Sequence, residues 1–472
     1  MAAERAGVPA VVNTCEFFVN QAHAIAALGG VPYLPVVNYP GHIDTYDLET
    51  REKYISELVS PGNDEALTTQ IEAAAAAVEG PETAVAFTGT YEEVLTYSQE
   101  KMWSDGLPII PPTKEKVEEF LKYTDYPADA ILTRAIPPSY REATPWAVAV
   151  NGVMAGCRPE YMPVLIAMTK AVGEVNFAAQ DSSSTPGWET LTILNGPIVK
   201  QLGFNYATGV QNAGFQSNTS CGRFWKMFQR NILEIRVEPE TDKSCQGLMW
   251  PVIMAEDEDT CEQIGWEPYH VQQGFKSDDS VVTVQSLGAM TISMNTVGSK
   301  AEDFLEMIVS QFGKRGLVNW RAVAGLQGGV WDVVLMITPV VAIPMARDGY
   351  SKDDVCQYLY EHSTNTAGFL EDLFRDKCEP GDICKWVEAG TIGPEFCLSE
   401  DPNREVPVFA RPDVIHPILA GDPGRNKLKA YTSNGAQGAQ TSMKIELPKN
   451  WDALYNASQL KKDLEKSGRR FV

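Results

Sequence analysis

Histidine is scarce in this chain. Its 472 residues include five, His23, His42, His270, His362 and His416. No two sit at ligand spacing on one helical face, so a His-rich metal site built by this chain alone is not expected. Basic residues are also in deficit: 39 Lys plus Arg stand against 62 Asp plus Glu, a formal net charge of −23. A nucleic-acid binder needs clustered cations to neutralise phosphates, and this balance argues against one. The same charge repels anionic membranes. No run is long and apolar enough to span a bilayer. The most apolar, WDVVLMITPVVAIPMA, is broken by two prolines and reads as a buried strand followed by a turn or helix. The first residues, MAAERAGVPAVVNTCEFF, lack the basic, apolar and small-residue regions of a secretory signal, which sets a cytoplasmic location as the expectation.

Cys-x-x-C is absent. The nine cysteines are scattered, so reduced, mostly buried thiols are expected. The spacing of Cys356, Cys378, Cys384 and Cys397 is not that of a zinc ribbon or finger. Gly-x-Ser-x-Gly and a Ser/His/Asp order are absent, and no internal repeat or low-complexity segment is legible.

What remains is an α/β pattern. GVPAVVNTCEFF and LPVVNYPG read as apolar strands flanking a helix at VNQAHAIAALGG, a β-α-β order that predicts a parallel pair. An Ala-rich helical stretch follows over about 48–80, then a helix from Tyr91 to Trp103. The expected division is a partial Rossmann-like βαβ unit with helices over 1–90 and a larger mixed α/β domain over 91–472, with a sub-boundary near 240–300. In the larger domain Thr113, Thr144 and Ser351 are predicted N-caps, and Pro145 and Pro159 open helices. Tyr161, Leu165, Met168 and Val172 share one helical face and read as core. DAILTRAIPPSY reads as a strand and loop. Strands are expected at TLTILNG, LMWPVIMAE, SVVTVQSLG, TISMN, GVWDVVLMI and DVIHPILAGDPG. QLKKDLEKSGRR reads as a solvated polar helix or tail.

The chemistry-bearing candidates are few. Cys157 sits before a predicted helix N-terminus and beside Arg158; both favour thiolate over thiol. The alternative is a tight corner that admits only small residues. The Asn/Gly stretch from Asn205 to Gly222, with Arg223 in the first helical turn after it, could cradle a carboxylate or phosphate, or be a plain connecting loop. AGDPGRNK resembles a short anion-binding turn without the full phosphate-loop pattern. MAEDEDTCE, with four consecutive acids from Glu256 to Asp259, could hold a divalent cation and reads first as a solvated loop.

The stretches GVPAVVNTCEFF with LPVVNYPG, DGLPIIPPTKEKVEEFL, NGVMAGCRPEYMPVLIA, TILNGPIVKQLGFN, GWEPYHVQQGF with VVTV, and ARDGYSKDDVCQYLYEH together resemble the UGSC (seleno)protein family, named for a Sec- or Cys-Gly-Ser-Cys motif near its N-terminus. The resemblance covers most of the chain. It implies a Rossmann-like N-terminal unit with a reactive thiol or selenol, joined to a larger α/β domain. It raises Cys157, Arg158 and Glu160 to candidate site residues. The segment bearing the motif is lacking here. Three positions matching family histidines hold Val341, Asn295 and Asn426.

The resemblance therefore implies a subunit of a heteromeric enzyme with thiol-dependent or metal-assisted chemistry, oxidoreductase before lyase, on a small organic substrate. Cys157 would be nucleophile or soft ligand. Arg158 would lower its pKa, Glu160 would orient it or act as base, and His270 would transfer protons. Asn212, Asn218 and Arg223 would line the pocket and Trp266 would cap it. The expected partners are a small Cys-Gly-Ser-Cys-type chain, a His-bearing large paralogue, or both, with a metal ion shared with a partner chain as the candidate cofactor. The alternatives are a non-catalytic structural or regulatory subunit, or a stand-alone small-acid binding protein.

Overall fold

The computed structural model describes residues 2–69, 83–184, 187–237, 241–245, 247–248, 253–291, 293–312, 331–374, 382–390, 392–435 and 437–468. The fold is mixed α/β. Strands β1 (Val12–Cys15) and β2 (Val36–Tyr39) pair in parallel across α1 (Val19–Leu28), the βαβ order expected from the sequence. Its small core is Ala26, Val31 and Leu34. Gln21 Nε2 donates to the Asp242 carbonyl at 2.9 Å, one tie to the larger body. Helix Leu48–Tyr54 and its continuation to Thr68 follow; most of the Ala-rich stretch expected to extend this helix lies outside the described residues.

The larger body begins with helices Tyr91–Glu100 and Lys114–Leu121. DAILTRAIPPSY forms no strand, only an isolated bridge between Ile136 and Arg141, because paired prolines (Pro137, Pro138) deny it a ladder. Then come α2 (Pro145–Ala155) and α3 (Met162–Gly173). Thr144 Oγ1 accepts from Ala147 N, Pro145 fills the first helical position, and Gly156, at φ +84°, ends α2. The stripe Tyr161, Leu165, Met168 and Val172 is buried, as its spacing predicts.

Two units with the same order and direction of their sheet strands follow. The first runs through β3 (Glu189–Asn195), α4 (Ile198–Leu202), α5 (Gln216–Asn231), β4 (Ile253–Ala255), α6 (Glu258–Ile264), α7 (Tyr269–Gln272) and β5 (Val281–Leu287). It ends in short strands β6 (Ala289–Met290) and β7 (Met294–Asn295). The second runs through α8 (Ala301–Phe312), β8 (Val333–Ile337), α9 (Pro339–Arg347), α10 (Lys352–His362), β9 (Thr364–Thr366), β10 (Glu405–Pro407), β11 (Ile415–Leu419), β12 (Lys427–Thr432) and β13 (Thr441–Lys444). Strands β9 and β10 form a separate antiparallel pair.

One sheet has the order β13-β5-β3-β4 and the other β6-β12-β8-β11, with β7 also on β12. In each, the last two strands are parallel and the other pairings antiparallel. β6 and β7 leave the first unit to pair with β12 of the second, and β13 leaves the second to pair with β5 of the first. Each unit thus covers an edge that the other would expose.

The sheets pack face to face. Leu191, Ile193, Met254 and Leu287 of one meet Val334, Met336, Ile418 and Tyr431 of the other in one buried cluster. On the outer faces, Leu194, Ile253, Val282 and Val284 pack under α2, α3 and α5, and Val333, Leu335, Ile337 and Leu428 pack under α8 and α9. The result is four layers, helix-sheet-sheet-helix, which is why β3, β5 and β8 are buried along their whole length.

Not all thiols are reduced. Cys384 and Cys397 form a disulfide, with Cα atoms 5.1 Å apart and a sequence separation of 13. Closing a loop of that size stabilises the fold by ~3 kcal/mol, mainly by restricting the unfolded chain. Reduction, or replacement of both cysteines by alanine, is therefore expected to lower stability by that amount, measured as a fall in the guanidinium unfolding midpoint at unchanged slope.

Candidate functional site

The polar residues converge where the two units meet, at the C-terminal ends of β3 and β4. β4 runs into Glu256 and Asp257. Asp257 caps α6, its Oδ1 accepting from Thr260 N at 3.1 Å and its Oδ2 from Thr260 Oγ1 at 2.7 Å. Its own N–H donates to Leu419 O of β11 at 2.7 Å, so the capping turn also joins the two units.

Glu256 is fully buried. Its Oε1 accepts from Lys352 Nζ at 2.7 Å, and Lys352, at the start of α10, is itself 2% exposed. Its Oε2 accepts from Asn195 Nδ2 at 2.7 Å and Tyr269 N at 2.6 Å. Leu419 N and the Cys261 thiol approach Oε1 at 3.4 and 3.7 Å. Burying two ions is costly, and such a pair persists where further donors satisfy the carboxylate. The acidic run expected to be a solvated loop is therefore half buried: Glu256 and Asp257 face inward, and Glu258 and Asp259 keep contact with solvent beside the cavity, whose lining also includes Glu256.

That cavity measures about 370 Å³ and is bounded by Gly196, Pro197, Lys200, Tyr206, Glu258, Asp259, Glu262 and Ser277, among others. Glu258 is fixed in its wall. Oε1 accepts from Gly196 N at 2.7 Å and Asn195 Nδ2 at 2.9 Å. Gly196 is at φ +89°, and a Cβ there would stand 2.2 Å from Asp279 O, so only glycine presents its N–H this way. His270 Nδ1 lies 3.5 Å from the same oxygen. The ring is fully buried, and neither nitrogen has a hydrogen-bond partner among the described residues. Glu258 Oε2 carries no hydrogen bond among them either, and the side chain is 24% exposed. Across the cavity Lys200 pairs closely with Asp259, whose Oδ2 accepts from Tyr206 Oη at 3.3 Å. Burial, and then the Asp259 charge, push the Tyr206 phenol up.

Cys157 lies elsewhere. It is 7% exposed, within the apolar core beneath α2, α3 and α5. Its thiol neighbours that of Cys221 on α5, whose pKa burial raises well above the ordinary value. The features expected to activate Cys157 are engaged otherwise. The segment after it opens as a three-residue 3₁₀ turn, Pro159–Tyr161, that runs into α3 at Met162. Arg158 spends its charge on Glu160, Nη2 to Oε1 at 2.9 Å.

The other candidates have structural partners. Helix α5 starts at Gln216, so Asn218 and Arg223 lie within it. Arg223 is not in its first turn; it clamps Asp105 with two hydrogen bonds of 2.9 and 2.7 Å. Burial raises the Asp105 carboxyl, and the guanidinium more than offsets this, leaving its pKa below the usual value. Asn218, 1% exposed, bonds to Asn205 N, Asn205 O and Ile253 O. Asn212 is exposed on the loop. Trp266 packs in the core of the second unit and donates to Tyr350 O at 2.8 Å. Of the eight candidates, His270 alone joins the cavity cluster; Cys157, Arg158 and Glu160 form a second group. Lys200 was not foreseen; Glu258 lay in the acidic run read first as a solvated loop, and Tyr206 in the Asn205–Gly222 stretch, neither with an acid–base role. A strand end followed by Asp-x-x-Thr, and a second ending in Asn-Gly-Pro, were the available signals.

No protein-family model, curated protein or solved structure matches the chain. Among the described residues no group of three or more His, Cys, Asp or Glu could hold a metal ion, and no helix is long and apolar enough to cross a membrane.

Two outcomes are expected. Iodoacetamide at neutral pH should label exposed Cys245 in the native protein and leave Cys157 and Cys221 unlabelled until denaturant is added, as read by peptide mass spectrometry. Glu256→Gln, which strands the Lys352 charge, should cost about 3–5 kcal/mol in urea unfolding. A Glu256→Gln/Lys352→Met double variant should recover part of that loss.

Proposed function

We propose that this chain is a subunit of an enzyme that carries out lyase- or hydratase-type proton transfer on a small organic substrate in the cavity at the ends of β3 and β4. Glu258 is its acid–base group. The observation that carries this is the division of labour between its two oxygens. Oε1 accepts from Gly196 N and Asn195 Nδ2, with His270 Nδ1 3.5 Å away, while Oε2 carries no hydrogen bond among the described residues. A carboxylate held in this way presents one lone pair in a fixed direction, as general base catalysis requires. Lys200 and Tyr206, both engaged by Asp259 on the same walls, would turn to a substrate oxygen on which negative charge develops. His270 acts through Glu258 as a positioning residue.

The thiol route is less well supported, because Cys157 and Cys221 are buried among apolar side chains. The subunit part of the proposal is supported by the N-terminal unit. Among the described residues its sheet has two strands, and Phe17, Leu48 and Val8 are 74%, 70% and 55% exposed around it. A partner strand would cover such an edge. The resemblance to UGSC proteins favours a small Cys-Gly-Ser-Cys-type chain or a His-bearing paralogue in that place.

The test is to purify the tagged chain with its companions from the native host and identify them by mass spectrometry. The complex is then incubated with a metabolite extract of that host, and the compounds consumed are recorded. Stoichiometric companions are expected, and Glu258→Gln should slow consumption by about 10²–10⁴-fold. Recovery of the chain alone would overturn the subunit reading. Loss of turnover in Cys157→Ser but not in Glu258→Gln would move the chemistry to the thiol pair.

A further inference from the structure

We infer that the Cys384–Cys397 disulfide is a thiol-exchange site, at which a small thiol attacks Cys397, becomes bonded to it, and releases Cys384 as a thiolate.

The bridge is open to attack. Cys397 closes the 3₁₀ turn Pro394–Cys397, and Pro394, Glu395, Leu398 and Ser399 around it are exposed. Cys384, in helix Ile383–Glu388, and Cys397 are themselves half-buried. Disulfides that act only as staples resist reduction, whereas exposed ones are the labile class.

The two sulfurs are not equivalent. Cys384 Sγ accepts from Arg404 Nη2 at 3.6 Å. The Arg404 side chain is 10% exposed and is held in place, with Nε donating to Phe396 O at 3.1 Å and Nη1 to Asp401 O at 3.0 Å. The cation is thus anchored to the turn that carries Cys397 and directed at the sulfur of the other cysteine. A disulfide sulfur is a weak acceptor, while a thiolate carries a full negative charge, so this contact strengthens as Cys384 leaves. A cation beside a thiol favours its thiolate, and the better-stabilised thiolate is the better leaving group. Cys397 Sγ instead lies 3.8 Å from Ser399 O, which disfavours negative charge there. Among the nearby acids, Glu371 Oε1 shares Arg404 Nη2 at 3.6 Å while accepting from Ile383 N at 3.2 Å, and Asp382 pairs with Lys385.

The electrons balance. The incoming thiolate forms an S–S bond to Cys397 Sγ as the Cys397–Cys384 bond breaks, and the electron pair of that bond leaves on Cys384 Sγ. A second small thiolate then attacks the small-molecule sulfur of the mixed disulfide, and Cys397 leaves. Two small thiols are oxidised to one disulfide, and the protein pair gains two electrons and the two protons those thiols gave up. Ile383, Trp386 and Phe396 still pack in the second unit's core, and Arg404 still reaches the turn and Cys384, so the pair can reclose.

The experiment incubates the full native chain with reduced glutathione, quenches it with acid and N-ethylmaleimide, and maps both adducts by peptide mass spectrometry. Glutathione is expected on Cys397 and maleimide on Cys384, in about tenfold excess over the reverse arrangement. Arg404→Gln should slow opening and bring the two arrangements to near parity. Glu371→Gln, which removes the acid that shares Arg404 and keeps an acceptor for Ile383 N, should speed opening, and it decides the matter if Arg404→Gln does not fold. The map should be unchanged in Cys378→Ser. Glutathione mainly on Cys384, equal labelling of both sulfurs, a map that depends on Cys378, or opening rates unmoved by the Arg404 and Glu371 variants would each overturn the assignment. Opening only in denaturant would leave a structural staple.

Discussion

The buried ion pair between Glu256 and Lys352 is the interaction on which the centre of this molecule depends. It joins residues 96 apart in the chain, one from each of the two α/β units. Glu256 alone fixes four things at once: the end of β4, the Asn195 side chain at the end of β3, the backbone of Tyr269, and the end of β11 through Leu419. A neutral glutamine could not hold an ammonium in a site that water does not reach. An apolar pair of the same size can serve stability equally well, but it could not orient Asn195, whose Nδ2 also donates to Glu258 Oε1. Stability and site geometry are therefore carried by the same carboxylate.

The exchange of strands between the two units explains why a site forms here and not at the equivalent place in the second unit. With β6 and β7 given to one sheet and β13 to the other, the sheets cannot slide freely, and β4 and β11 meet at their C-terminal ends. In the first unit the strand ends carry Asn-Gly-Pro and the acidic turn. In the second they carry Thr338-Pro339 and Ala420-Gly421-Asp422. There Thr338 Oγ1 bonds to Arg425 O and Lys427 O, closing the space with its own chain, and Gly421 N donates to Tyr206 O on the cavity side. One unit keeps the cavity; the other supplies Lys352, which neutralises Glu256.

Much of this was legible from residue order. Prolines, glycines and capping residues placed the helices at Pro145, Pro159 (a 3₁₀ turn that leads into α3) and Lys352, and apolar runs placed β3, β5, β8 and β11, because these signals act within a few residues of the element they end or begin. The site was not legible in the same way. Glu256 to Asp259 has the composition of a solvated turn, and what distinguishes its inward half is Lys352, a residue no local pattern connects to it. Arg223 read as a free cation beside a Gly-rich loop; its partner Asp105 lies 118 residues earlier. The likeness of the two units is one of strand order and direction, which backbone hydrogen bonding sets and which leaves no trace in a one-letter string.

Charge connects these observations. A chain of net charge −23 repels itself, and most of its carboxylates gain by facing water. Turning Glu256 inward runs against that tendency and is sustained by one buried lysine and several N–H donors. Glu258 and Glu262 stay on the cavity without lysine or arginine partners among the described residues, although Lys200 stands on the same wall and is drawn to Asp259 instead. Glu258 is 24% exposed and Glu262 lies at the surface, so solvent screens the repulsion between them. Glu256, which the fold takes out of water, is paired with a buried lysine, while Glu258 and Asp259 on the same acidic turn keep contact with solvent.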